Sequence, residues 1–408
     1  MWNVLEGVRV LDLSRVFAGP AATQILGDLG ADIIKVEEPG RGDEARGFGV
    51  THEMIAQGRS TSASFTALNR NKRSIAIDLK TAAGRRAVLR MAKGCDVVVH
   101  NFRRGAMEKF GLGYDALRAV RPDIILCEFF SYGREGPLAH IGANDLALQA
   151  HSGLMSITGE PDRPPVRSGT SIVDLHASLA LVIAILAALW HRARTGQGQV
   201  VETSLLRSSA HLMNYFYGEY WANGVVRGRM GTANHLSVPN QVFPASDGGV
   251  VIIAPNDEMW QRCARALDPS LDRVEWRSMA DRQRHRAALI EAMSAVTRGM
   301  TSAQLIERLG AVKVNVAKVH DIGEAADHAQ LAAIGAVIGF AMEGREVKAV
   351  SSPFALDGMP VVEDRPPPRV GADRDAILAE LGFDTEEVAA LQAEGAFGSS
   401  STAPGTHA

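Results

Sequence analysis

The strands predicted from this sequence are apolar along their length, with no polar residue at every second position. DIIKVE (32–37), CDVVVHNF (95–102) and DIILCEFF (123–130) carry Val, Ile and Leu at consecutive sites, where a sheet with one wet face would alternate. VRVLDL (8–13) and SIAIDL (74–79) are shorter candidates of the same set. Between them lie segments with helical spacing: GPAATQILGDLG (19–30), GRRAVLRMAK (84–93) and YDALRAVR (114–121). The first of these has Pro20 near its start and Gly30 past its end, the usual asymmetry of a helix. Strands buried on both faces and separated by helices predict an α/β fold with a parallel sheet. Segment 44–70 is the longest interruption and is the expected place for a loop bearing function.

Further along, VVETSL follows the turn TGQGQ (195–199), and a helix is expected through 206–222. GVVIIAPN (249–256), a helix from Glu258 to Leu267, two more over 285–298 and 302–309, and VKVNVAKV (312–319) predict a smaller α/β unit. Strand and helix patterns return over 322–343 and 347–356, and GSSSTAPGTHA closes the chain with small polar residues.

SIVDLHASLALVIAILAALW (171–190) places one acidic residue, Asp174, ahead of a long apolar run. The uninterrupted part, Leu179 to Trp190, is twelve residues, against the ~20 that a membrane span requires. A buried core helix is therefore expected, and Asp174 by residue physics alone is its cap. With 43 basic and 46 acidic residues the formal net charge is −3, which gives no electrostatic case for nucleic acid or an anionic membrane as partner. Cys95, Cys127 and Cys263 are far apart and in no CxxC arrangement, so reduced thiols in a cytosolic protein are expected, with Cys95 and Cys127 buried in their apolar runs. The first residues lack a basic region followed by an apolar one, so no secretory signal is read there.

Several chemistries fail on spacing. The first strand–turn–helix lacks G-x-G-x-x-G and carries Pro20, so the topology is Rossmann-like without the nicotinamide signature. There is no G-x-S-x-G elbow, and Asp174, His176 and Ser178 would point in different directions from one helix. No His/Cys cluster argues for a metal. NRNKRSIAIDLKT (69–81) gathers Arg70, Lys72, Arg73 and Lys80, and NFRRGAMEKFG (101–111) adds Arg103, Arg104 and Lys109. Basic loops at the carboxyl ends of neighbouring parallel strands predict a phosphate-bearing small molecule.

LEGVRVLDLSRVFAGP, LGADIIKVEEPGRGDEAR, NRNKRSIAIDLKT, DVVVHNF, the Asp174 region with LAALWHRARTGQGQ, and SSPFALDG occur in order from residue 5 to about residue 392. This ordered set resembles the family III CoA-transferases, the group that includes formyl-CoA and carnitine CoA-transferases. The resemblance implies a Rossmann-like large domain with a parallel sheet (1–200 and 326–392), a linker helix (201–229), a smaller inserted α/β domain (230–325) and a disordered tail (393–408). It also implies two subunits interlocked as a homodimer. The activity implied is acyl-CoA:carboxylate CoA transfer, with a CoA thioester as substrate, a small (di)carboxylic acid as acceptor and no tightly bound cofactor. Asp174 would be the nucleophile, held ionised by the helix dipole, with nearby backbone amides for the oxyanions. Val16 and Ala18 would contact CoA through backbone, and Ile77, Lys80, Asn101, Phe102 and Lys109 would line its path.

Departures from the formyl-CoA transferase pattern are Glu38 in place of an arginine, Gly142 in place of a lysine, Ser178 in place of a common glycine, and no tetraglycine loop. Arg46 and Arg167 are candidate partners for a dicarboxylate. The α-methylacyl-CoA racemases of the same superfamily use a histidine in a G-H-D stretch, where this chain has Asn144 before Asp145, with His140 and His151 near. Racemisation is thus the alternative activity, and a non-catalytic CoA-binding protein the alternative of another class. The expected location is the cytoplasm.

Overall fold

The computed structural model describes residues 2–56, 58, 61–357 and 364–398. Six parallel strands form the main sheet: β1 (Arg9–Asp12), β2 (Asp32–Glu37), β3 (Lys72–Ala76), β4 (Val97–His100), β5 (Ile125–Phe130) and β6 (Val200–Ser204), in the order β3-β2-β1-β4-β5-β6. Every residue of β4 and β5 is buried, which is why their sequences do not alternate. Helices cover both faces. On one face Ala83, Val88, Met91 and Leu117 pack with Ile377 and Leu378 from near the chain's end. On the other face Ala22, Ile25 and Leu26 of α1 (Ala18–Asp28) pack with Val173, Leu181 and Ile185 of α2 (Ile172–Thr195).

Helix α2 is 24 residues, longer than the apolar run inside it, and by length and composition it is able to cross a membrane. Length therefore does not make the exclusion expected from the sequence. Packing defines the helix instead: Val173, Ala177, Leu181, Ile185 and Ala188 recur every three or four residues and are buried in the sheet's core.

The chain divides into two compact units. One comprises Met1–Ser152, Gly169–Tyr217 and Ile334–Ala408, and the other Gly153–Ser168 and Gly218–Ala333. The second unit has its own core, in which Phe243, Val250 and Ile252 of an antiparallel three-stranded sheet meet Trp260, Leu289, Met293 and Leu305 from helices. It takes in residues 153–168, which lie far in sequence from its other segment.

Two expectations need correction. The segment 201–229 is not one linker helix: it opens in β6, paired with β5, and continues as two helices, Leu205–Leu212 and Asn214–Asn223. The end of the chain is not a tail from residue 393, because Ala396 and Phe397 are buried in the sheet's core. Residues 399–408 lie outside the described residues.

Candidate active site

The strand order reverses between β1 and β4, and in open parallel sheets the crevice at the carboxyl ends of such a pair is where ligands sit. A cavity of about 560 Å³ lies there. Its wall is made by the turn after β1 (Arg15–Ala18), the loop after β4 (Asn101–Arg104), the loop after β5 (Ser131 and Ala139–Asn144), and Glu44, Leu205 and Asp174.

The turn after β1 is held in an unusual shape. Val16 has φ +73°, a left-handed conformation that costs an L-residue roughly 1–2 kcal/mol. Two clasps offset that cost. Asp43 accepts the Val16 amide at 3.1 and 3.2 Å, and the Asn101 side chain both accepts the Arg15 amide at 2.9 Å and donates to the Arg15 carbonyl at 2.7 Å. Asp43 is in turn held by Lys35 at 2.8 Å, with both side chains buried. Burial raises the Asp43 carboxyl, but Lys35 and the backbone amides outweigh it, leaving it below the ordinary value. Next to it, Asp12 accepts from Ser14 and Thr23 and pairs with Lys72 at 3.3 Å.

Asp174 is the third residue of α2 and is half-buried. It is not the cap: Ser171 stands at that position, and the amides of Val173 and Asp174 donate to the Asp145 carboxylate at 2.8 and 3.1 Å. Asp145 begins the helix Asp145–His151, where Asn144 caps the first turn through the Ala147 amide. Among the described residues no group donates to the Asp174 carboxyl. Burial, and then the Asp145 charge, push its pKa up to about 7. Against the expectation that the helix dipole keeps Asp174 readily ionised, burial first and then the Asp145 charge at the same helix end work the other way. The same two amides are committed and are not a vacant oxyanion site.

Of the residues expected at the site, Val16, Ala18, Asn101, Phe102 and Asp174 line one cavity. Ile77 does not: its side chain is 2% exposed and belongs to the core under β3. Lys80 is exposed and bonds Glu38 at 2.7 Å, and Lys109 ends the short helix Ala106–Lys109 at the surface. The other basic residues of NRNKR point inward. Arg70 pairs with Asp28, Lys72 with Asp12, and Arg73 with Asp32 and Glu380. Arg46 is buried in a two-bond contact with Glu37 at 2.7 Å, and Arg167 bonds the Ser168 carbonyl within the second unit. Arg46 is thus committed, and the cations of the cavity wall are Arg15, which has Glu44 at 3.9 Å, Arg103 and Arg104. Arg103 packs on Gly142, where an added Cβ would meet its Nε at 3.4 Å. Ser178 is buried and bonds back to the Leu175 carbonyl, so it does not narrow the cavity. Asp145 is the functional neighbour that local sequence reasoning missed, since the Val173 amide it accepts is 28 residues away.

The three cysteines are buried, and burial pushes Cys95 and Cys263 up to about 12 and Cys127 higher still, so none is a nucleophile at neutral pH. Among the described residues no group of three or more metal-ligating side chains comes together.

Comparison with known proteins adds three findings. The profile of CoA-transferase family III matches residues 5–374. The succinate–glutarate CoA-transferase of Agrobacterium fabrum is 34% identical over 92% of this chain and 95% of its own, and the succinyl-CoA:glutarate CoA-transferase of Mus musculus is 35% identical over 96% and 89%. A CaiB/BaiF family protein from Brucella suis superposes with a TM-score of 0.83 at 32% identity, covering 93% of this chain and 100% of its own.

Proposed function

The chain belongs to CoA-transferase family III, and from that premise we propose that it moves CoA from an acyl-CoA donor to a small dicarboxylic acid, with Asp174 as the covalent relay. The observation that carries the proposal is the Asp174 carboxyl facing a cavity at the switch point, unbonded by any described side chain and walled by Arg15, Arg103 and Arg104. Support for dicarboxylic acids comes from the relatives named for succinate and glutarate and from those three cations.

The steps balance without a cofactor. The ionised Asp174 oxygen attacks the thioester carbonyl, the C–S bond breaks, and CoA leaves as thiolate, giving a mixed anhydride on Asp174. The thiolate then attacks the aspartyl carbonyl carbon and releases the donor acid, leaving Asp174 as a CoA thioester. The incoming carboxylate attacks that carbon and expels the thiolate, which finally attacks the new acyl carbonyl and frees Asp174. Both intermediates hydrolyse if water enters, so the reaction needs water kept out of the cavity while they stand.

We further place the enzyme in the cytoplasm as an interlocked homodimer with no tightly bound cofactor. Leu175, Leu179 and Ile183 on the outer face of α2 and Tyr215, Tyr220 and Trp221 after it are exposed, as residues awaiting a partner chain would be. Light scattering in solution tests the dimer. The chemistry is tested by adding succinyl-CoA with hydroxylamine and mapping the adduct by mass spectrometry. A hydroxamate on Asp174 is expected. No adduct, with solvent deuterium entering the acyl α-carbon, would show a racemase; neither signal, with CoA bound, would show a binding protein.

A further inference from the structure

His100 is the last residue of β4, 2% exposed, and stands directly before Asn101 and Phe102 of the cavity wall. The Phe102 amide donates to His100 Nδ1 at 3.3 Å. An amide is always a donor, so Nδ1 carries the lone pair and the neutral ring holds its proton on Nε2. That nitrogen is buried and makes no hydrogen bond among the described residues; Glu128 Oε1 lies 3.5 Å away across the β4–β5 pair. Glu128 is 3% exposed and bonds Arg134, whose own amide donates to Glu202 Oε1 of β6 at 2.8 Å. Glu202, Arg134, Glu128 and His100 thus lie in a row across β6, β5 and β4, next to the Phe102 main chain.

The imidazole also stacks on the Phe102 ring, centroids 5.8 Å apart and 17° from parallel. On Phe102 sits the Arg15 guanidinium, 5.2 Å from the ring centroid. His100, Phe102 and Arg15 form a short column, of which Phe102 and Arg15 line the cavity.

We propose that His100 is a positioning residue for the CoA thioester. By accepting the Phe102 amide at Nδ1, it sets the Phe102 ring and the Arg15 cation as one fixed wall of the cavity. The proposal rests on the reading that this cavity takes the thioester. Only Nδ1 has this task, and two amide side chains separate the two nitrogens. Asn places an oxygen near the Nδ1 position, whereas Gln reaches toward the Nε2 position and leaves the Phe102 amide without its acceptor.

The test compares His100→Asn, His100→Gln and the wild type, measuring thioester KM and kcat, thioester affinity by calorimetry, and thermal stability. His100→Asn is expected to hold KM within about threefold, and His100→Gln to raise KM and Kd about tenfold, the size of one lost hydrogen bond, with kcat moved less. Equal KM effects of Asn and Gln, or lower stability with KM unchanged in both, would overturn the positioning role alone. A wild-type protein that binds no CoA thioester would overturn it together with the proposed function.

Discussion

The Asp145 carboxylate sits at the head of α2 and takes the amides of Val173 and Asp174, placing one acid beside another at the site. Asp145 is 5% exposed and also accepts from Gln149. Its charge thus adds to burial in raising Asp174. A nucleophilic carboxylate must be ionised, so a pKa of about 7 places the competent form within the physiological range.

Replacing Asp145 by Asn keeps an oxygen for the helix amides and removes the charge. The pH profile of kcat/KM for the thioester, which rises as Asp174 ionises, is expected to have its midpoint near 7 in the wild type. In Asp145→Asn it should move toward lower pH by up to ~1 unit, since burial remains. A midpoint that stays or moves up would refute the charge coupling.

Asp174 also weakens the fold. Its folded pKa of about 7 lies above the ordinary carboxyl value of 3.8, so between those values the folded state holds a proton that the unfolded state has released, and stability falls as pH rises. Above about 7 the penalty is constant, with an upper bound of about 4 kcal/mol from the shift. Asp174→Asn should therefore raise Tm at pH 8, raise it less at pH 6, and leave it unchanged near pH 3.5. A gain independent of pH would have another cause.

Sequence reasoning reached the sheet because burial on both faces leaves a local trace, the unbroken Val/Ile runs of β4 and β5. Val16, Ala18, Asn101, Phe102 and Asp174 come from the family resemblance and not from local pattern, and the fold gathers these five around one cavity. What sequence reasoning missed depends on partners distant in sequence. Asp174 has the composition of a cap, but the capping oxygen comes from Asp145. Lys72 and Arg70 have the composition of a ligand patch, but they lie at the amino end of β3 and turn toward Asp12 and Asp28. A charge in a sequence has a sign but no direction.

Asn101 gives a third prediction. It lines the cavity, but its amide is committed to both main-chain groups of Arg15, and with Asp43 it keeps Val16 at positive φ. Asn101→Leu conserves volume and cuts both bonds. Thioester affinity by calorimetry should fall about tenfold, and stability by ~1–3 kcal/mol in urea titration. Affinity unchanged alongside lower stability would mean that the turn's shape is irrelevant to binding.

The buried pair beneath that turn allows a sharper test. Lys72 donates to Asp12 at 3.3 Å, to the Pro20 carbonyl at 2.9 Å and to Asn69 at 2.9 Å, with no exposure of either charged group. Burial pushes Lys72 down to about 8, and the Asp12 carboxyl, which burial alone would raise, is held below its ordinary value by Lys72 and Lys35. Lys72→Met would leave Asp12 buried with only Lys35, Ser14 and Thr23 to balance it. Removing one partner of a buried pair costs about 3–5 kcal/mol, because the remaining charge keeps its desolvation penalty. The double variant Asp12→Asn with Lys72→Met removes both charges, and it should recover at least half of that loss in urea titrations at pH 7. Since Asp12 also anchors Ser14 and Thr23, the double variant should regain stability without regaining full thioester affinity. If the two single losses simply add, Lys72 and Asp12 act independently, and the network would then fix the Val16 turn through Asp43 and Lys35 alone.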